Sequence, residues 1–136
     1  MMLKYYGWER KEFADCFNVG LSVCESQKAN NKLARHFKHR YFEEGKLVSP
    51  KLVFSQRFNE CRGTAYGQTR IKIGMRTTLG VLGHEFAHLI NNRNGGVGHD
   101  KKFKRCHKKV MTYIRSKNYF GMLEQYFKEE TNNETR

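Results

Sequence analysis

Residues 77–90 have the sequence Thr-Thr-Leu-Gly-Val-Leu-Gly-His-Glu-Phe-Ala-His-Leu-Ile (TTLGVLGHEFAHLI). Thr77 or Thr78 can act as an N-cap, and the apolar residues that follow predict a helix. His84 and His88 stand four residues apart, so their imidazoles would project from one face of that helix. Two neutral imidazoles at this spacing can bind one zinc ion at about 2.0–2.1 Å. The stretch therefore predicts a metal-binding helix.

Glu85 follows the first of these histidines directly, which places its carboxylate beside the metal rather than on it. A carboxylate in that position can take a proton from the attacking water and so act as a general base. The H-E-x-x-H arrangement predicts a zinc hydrolase, and most simply a protease. The alternative is a helix whose histidines only make hydrogen bonds. Apolar neighbours such as Leu82 and Phe86 disfavour it, because burying imidazoles and a carboxylate among them is costly without a metal.

A catalytic zinc site needs a third protein ligand and one open position. His99 is the predicted ligand, because the glycine-rich segment 91–98 is expected to form a loop that turns the chain back. His99 would then open the next helix. His107, two turns into that helix, and Glu124 are the alternatives.

The segments 84–88 (HEFAH), 91–92 (NN) and 98–103 (GHDKKF) together resemble the motifs of the SprT-like zinc metalloproteases. The resemblance covers about residues 27–115 and implies a zincin-like core that cleaves proteins bound or crosslinked to DNA. It implies Zn²⁺ bound by His84, His88 and His99, with Glu85 as the catalytic base and Phe103 packed under the site. The family usually has glycine where this sequence has Asp100, and no counterpart of the zinc ribbon of many members occurs here.

The chain is strongly basic, with 26 Lys and Arg against 13 Asp and Glu and a net charge of +13. No acidic residue occurs from 101 to 123, so the helix after His99 forgoes the ion pairs of an ordinary solvated helix. Such a surface attracts polyanions, and we expect DNA, single-stranded or damaged, as a partner. The expected contact residues are Lys101, Lys102, Lys104, Arg105, Lys108 and Lys109.

Two other functions are compatible with these features. One is a nucleic-acid-binding protein with a structural zincin-like zinc site and no hydrolysis, and the other is a small metalloprotease effector or toxin. The four cysteines form no Cys-x-x-Cys pair and are expected to be reduced thiols. No apolar run long enough for a signal peptide or a membrane span occurs. We therefore expect an intracellular monomer, cytoplasmic or associated with the nucleoid, that acts on protein substrates.

The remaining patterns predict the architecture. Helices are expected over 8–17, 27–42, 78–90 and 100–117, with a further amphipathic stretch over 119–127. Strands are expected over 51–56, 62–66 and 69–73, the last two joined by a hairpin at Gly67-Gln68. This order predicts an α+β fold with a small three-stranded sheet that contains an antiparallel pair. We expect one domain over 1–128 and a flexible polar tail over 129–136.

Overall fold

The computed structural model describes residues 11–37, 42–43, 46–47 and 49–117. After a 3-10 helix at Ala14–Asn18, the α-helices are α1 (Val23–His36), α2 (Leu79–Arg93) and α3 (Lys101–Ser116). The strands are β1 (Gly20–Leu21), β2 (Phe42–Glu43), β3 (Lys46–Leu47), β4 (Lys51–Ser55), β5 (Gly63–Tyr66), β6 (Arg70–Gly74) and β7 (Thr77–Thr78). The predicted α+β class is confirmed.

The three-stranded sheet has the order β4-β6-β5. β4 runs parallel to β6 and β5 runs antiparallel to it, so Leu52 and Ala65 both stand opposite Ile71. Ile71 and Ile73 are fully buried while Arg70 is exposed and Lys72 half-buried, as the alternating pattern of β6 predicts. The expected small sheet with an antiparallel pair is therefore confirmed.

Helix α2 is the centre of the core. Every residue from 79 to 87 is buried, and the helix packs against α3, α1, the 3-10 helix and the sheet. Gly83 lets α3 approach closely, because a Cβ atom there would lie 2.9 Å from Cε of Met111. The helix that carries His84 and His88 is thus enclosed on most sides, which fixes the direction of its side chains.

The two ends of α2 have clear local causes. Thr78 Oγ1 accepts a hydrogen bond from the backbone N–H of Val81 at 3.1 Å, so the predicted N-cap is present. Pairing of β7 with β1 holds the preceding residues in place. The helix continues to Arg93, so the expectation of a loop from residue 91 is wrong for 91–93. Its last turn closes where the N–H of Asn94 bonds to the carbonyl of Ile90 at 3.0 Å.

Helix α1 begins at Val23, so the expected start at residue 27 is wrong. Ser22 and Glu25 form a capping box: Ser22 Oγ accepts from the N–H of Glu25, and Glu25 Oε1 accepts from the N–H of Ser22. Upstream, Phe13, Cys16 and Phe17 are buried, and the helix expected over 8–17 ends as a 3-10 helix.

An ion pair joins the end of α3 to the 3-10 helix. Arg115 Nη2 and Nε donate to Asp15 Oδ1 and Oδ2 at 2.6 and 3.0 Å, and Arg115 Nη2 also donates to the carbonyl of Glu12. The guanidinium lies 4.7 Å from the centre of the Phe13 ring. Arg115, one of the cations of α3, therefore helps to hold the fold together.

Several expectations fall on residues outside the described ones, namely residues 8–10 and 38–41 of the expected helices, the stretch 119–127 and the tail 129–136. The single domain over 1–128 remains a prediction. Cys16, Cys24, Cys61 and Cys106 are all free thiols. Among the described residues, no helix has the length and apolar character needed to cross a membrane.

Candidate metal centre

Three histidine side chains meet at the junction of α2 with the loop before α3. Nε2 of His99 lies 3.1 Å from Nε2 of His84 and 3.0 Å from Nε2 of His88. His84 and His88 come from successive turns of α2, and His99 comes from the loop. The structure thus brings together the three predicted ligands, and the group could hold a metal ion.

The donor set fits a metal better than a hydrogen-bond network. An imidazole Nε2 carries either one proton or one lone pair, so His99 Nε2 can make one good hydrogen bond to one of its two neighbours. A cation accepts all three lone pairs at once. A tetrahedral centre with metal–nitrogen bonds of about 2.0–2.1 Å has nitrogen–nitrogen edges of about 3.3 Å, close to the observed separations.

The environment of the three imidazoles is graded from buried to exposed. His84 is 1% exposed, His88 is half-buried and His99 is exposed. Phe103 lies against all three rings: it stacks on His88 at 4.3 Å between centroids and meets His99 and His84 edge-on at 4.8 and 5.1 Å. The site therefore has an apolar base on α3 and an open side at His99.

Asp100 holds the loop that carries His99. Its carboxylate accepts hydrogen bonds from the backbone N–H of Phe103 at 2.8 Å and of Val97 at 3.1 Å. These backbone donors, Val97 first, lower the pKa of Asp100. Asp100 is the N-cap of α3, so the expectation that His99 itself opens the helix is wrong: His99 is the residue before the cap.

Asn91 extends the histidine face of α2 by one more turn. His84, His88 and Asn91 follow the spacing i, i+4 and i+7, which places them on one side of the helix. Asn91 is fully buried, and its side-chain amide donates to Asp100 Oδ1 at 3.2 Å. The sequence analysis predicts neither this role of Asn91 nor the N-cap role of Asp100, although an aspartate directly before a helix is an N-cap signal.

Glu85 lies on the neighbouring face of α2, about 100° round the helix from His84. It is 2% exposed and faces β5. Gly63 of β5 leaves room for it: a Cβ atom there would lie 2.8 Å from Glu85 Cγ and 3.1 Å from Glu85 Oε2. The carboxylate is therefore held between α2 and the strand at the end of the sheet.

The alternative ligands have different places. His107 is fully buried between aromatic rings, 5.2 Å from the Phe13 ring and 5.8 Å from the His84 ring, and is not in the histidine group. Burial, and then the charges of His88 and His99, lower the pKa of His107 to about 3. Glu124 lies outside the described residues.

The six predicted DNA-contacting cations separate into two sets along α3. Lys101, Lys102 and Lys104 lie in its first turn, next to Asp100 and close in sequence to His99 of the three-histidine group, here also called the metal group. Arg105, Lys108 and Lys109 line a groove further along the helix. All six are exposed, and their role in binding remains a prediction.

Comparison with known proteins adds no relative: no family model, no curated protein and no solved structure matches the chain. The geometry thus defines a class of site, a three-histidine group that could hold a metal ion, with a buried glutamate on the same helix.

Proposed function

We propose that the chain is a zinc-dependent peptidase of the SprT-like type, with a zincin-like core, that cleaves proteins bound or crosslinked to DNA. The observation that carries the proposal is that Nε2 of His99 lies 3.0–3.1 Å from Nε2 of both His84 and His88, beside a helix that also bears Glu85. Nitrogen donors suit Zn²⁺ among common metals, and three of them leave a fourth position for water or substrate.

His84, His88 and His99 would hold Zn²⁺, which when bound polarises a carbonyl group and makes water more acidic. Glu85 accepts the proton of the attacking water and then gives it to the leaving amine. The low exposure of Glu85 keeps it in a low-dielectric environment, where its interaction with a developing charge is stronger than in bulk water. Phe103 keeps the three imidazoles in place from the apolar side.

The sheet supports a peptide as the substrate. β5 stands at the end of the described three-stranded sheet and passes next to Glu85 at Gly63. An extended peptide can pair with the outer edge of such a strand through main-chain hydrogen bonds. That arrangement would bring a scissile carbonyl past Glu85 with little demand on the substrate sequence.

The charge supports a substrate next to DNA. Lys101 and Lys102 follow His99 by two and three residues, so positive charge begins at the metal group itself. A net charge of +13 raises the local concentration of polyanions and of proteins attached to them. We therefore propose an intracellular site of action beside DNA, in the cytoplasm or at the nucleoid.

The test combines zinc quantification with a protease assay, with and without single-stranded DNA, on wild type and Glu85→Gln. We expect one zinc per chain in both proteins, DNA-stimulated cleavage by wild type, and a loss of at least about 100-fold in Glu85→Gln. Glu60→Gln, the same change at an exposed position, should cleave normally.

Each other result has a definite meaning. Full activity in Glu85→Gln would contradict the proposal. Bound zinc without any cleavage by wild type would favour a DNA-binding protein with a structural zinc site. Efficient cleavage that DNA does not stimulate would favour an effector or toxin that acts on free proteins.

A further inference from the structure

A groove of about 640 Å³ lies along α3 on the side that faces away from the core. His36 and Phe37 at the end of α1, with Tyr113 of α3, form its aromatic part. Arg105, Lys108 and Lys109 line the same space, and none of the described residues that line it is acidic. The volume falls in the range of about 300–1,000 Å³ that is typical of ligand sites.

The aromatic part is an ordered stack. The imidazole of His36 lies on the Tyr113 ring with centroids 3.7 Å apart and an interplanar angle of 17°. Phe37 meets both rings edge-on, at 4.7 and 5.7 Å, and itself packs against Phe86 of the core at 6.3 Å. The core thus holds the stack in place, while His36 remains exposed and Tyr113 half-buried.

The charges around this stack point to an anionic ligand. Arg105, Lys108 and Lys109 are exposed residues of consecutive turns on one side of α3. Partial desolvation, and then the charge of Lys117, lower the pKa of His36, which favours its neutral form. A neutral flat ring next to three cations suits a ligand that has both a flat face and phosphates.

We propose that this groove binds single-stranded nucleic acid, with a base stacked on the His36–Tyr113 pair and the adjoining phosphates bound by Arg105, Lys108 and Lys109. Unpaired bases offer a free π-face to aromatic side chains, whereas the bases of a duplex are already stacked on each other. The groove lies on the opposite side of α3 from Phe103 and His107. The inference rests on the proposed function for DNA as the partner, and it adds the site and the form of DNA that is bound. Binding there requires neither zinc nor Glu85.

The test is fluorescence anisotropy on the full chain carrying Glu85→Gln, with a labelled oligothymidine of about 12 nucleotides. An abasic strand of equal length and charge and a blunt duplex serve as competitors. We expect the single strand to bind most tightly and the abasic strand to bind more weakly by about 5- to 150-fold, the range that about 1–3 kcal/mol for one stacked base gives.

The variants separate stacking from charge. Tyr113→Ala and His36→Ala should weaken binding by about 5-fold or more, whereas Tyr113→Phe should retain it because the ring remains. His36 is exposed, so its replacement keeps the fold even if Tyr113→Ala does not.

The cation variants measure how many phosphates the groove neutralises. Changing both Lys108 and Lys109 to Gln should reduce the slope of log Kd against log salt by about 1.4, which is about 0.7 for each phosphate that the variant no longer neutralises. Changing Lys51 and Arg57 to Gln removes the same charge outside the groove and should leave this slope nearly unchanged.

Equal binding of the abasic strand, or unchanged affinity in His36→Ala, would overturn the proposal. So would binding of polyglutamate that equals oligothymidine and depends on the same residues, because the groove would then recognise an acidic polypeptide. None of these measurements depends on peptidase activity, so the two proposals can fail separately.

Discussion

The side-chain amide of Asn91 donates a hydrogen bond to Oδ1 of Asp100 at 3.2 Å. This bond joins α2 to the residue that directly follows His99, whose own Nε2 lies 3.0 Å from Nε2 of His88. The two segments that supply the three histidines are therefore joined at two neighbouring points. The position of His99 consequently depends on more than the imidazoles themselves.

Asp100→Ala removes both the N-cap of α3 and this connection to Asn91. The loop that carries His99 then becomes less constrained. Part of the free energy of metal binding must therefore be used to order the loop. We expect zinc affinity to fall by about 10-fold or more, the usual effect of losing a group that orients a ligand. Competition with a chromophoric chelator measures the change.

The matched control is Ser22→Ala, which removes the N-cap of α1. It should lower thermal stability and leave zinc affinity unchanged, since α1 supplies no histidine to the metal group. Asp100→Asn can still cap the helix and should keep most of the affinity. Wild-type affinity in Asp100→Ala would show that the imidazoles alone position the loop.

Features with a local cause could be predicted from the sequence. The buried residues of β6 alternate with more exposed ones along the sequence. In α3 the fully buried Phe103, Val110 and Ile114 recur at helical spacing. The grouping of His84, His88 and His99 follows from a four-residue helical spacing and one short loop. In each case the residues involved are near neighbours in the chain.

Contacts between distant segments could not be predicted in the same way. The approach of Gly63 to Glu85 depends on how β5 packs on α2, and the stack of His36 on Tyr113 depends on how α1 meets α3. Neither has a periodic signal, because each arises from the packing of whole elements. The capping box of Ser22 and Glu25 is different, because its spacing is a local signal for the start of α1 that the expected start at residue 27 does not use.

Gly63→Ala tests the space that Glu85 occupies. The added methyl group would lie 2.8 Å from Glu85 Cγ and 3.1 Å from Val81 Cγ1, so the carboxylate must shift. We expect kcat to fall by about 10- to 100-fold, as for a catalytic group displaced by a fraction of an ångström to one ångström. Zinc content should stay at the wild-type level.

The control for this change is Thr64→Ala, the next residue of β5, whose side chain points to the other face of the sheet. Its kcat should remain within about twofold of wild type. An unchanged kcat in Gly63→Ala would indicate that the strand moves away and that Glu85 keeps its position.

His99→Ala and His107→Gln distinguish the two candidates for the third ligand. Nε2 of His99 lies within 3.1 Å of Nε2 of both His84 and His88, whereas the buried His107 ring is 5.8 Å from the His84 ring and is outside the three-histidine group. We expect His99→Ala to lose most of its zinc in dialysed protein and His107→Gln to keep about one zinc per chain. Elemental analysis measures both, and circular dichroism checks the fold. Full zinc in His99→Ala together with loss in His107→Gln would reverse the assignment.

Asp15→Asn tests the pairing of the 3-10 helix with the end of α3. The hydrogen bond from Arg115 is the main cause that lowers the pKa of Asp15 below its ordinary value of 3.8. The folded state therefore binds fewer protons than the unfolded state in that range, so the contribution is complete above pH 3.8 and disappears as the pH falls through the lowered pKa. Both side chains are more than one-third exposed, so solvent limits the contribution at neutral pH to about 1 kcal/mol or less.

Urea unfolding of wild type and variant should show this difference in the free energy of unfolding at pH 7, a smaller one in high salt, and none once Asp15 is protonated. A difference that persists at acid pH would assign the effect to packing around Phe13 rather than to the ion pair.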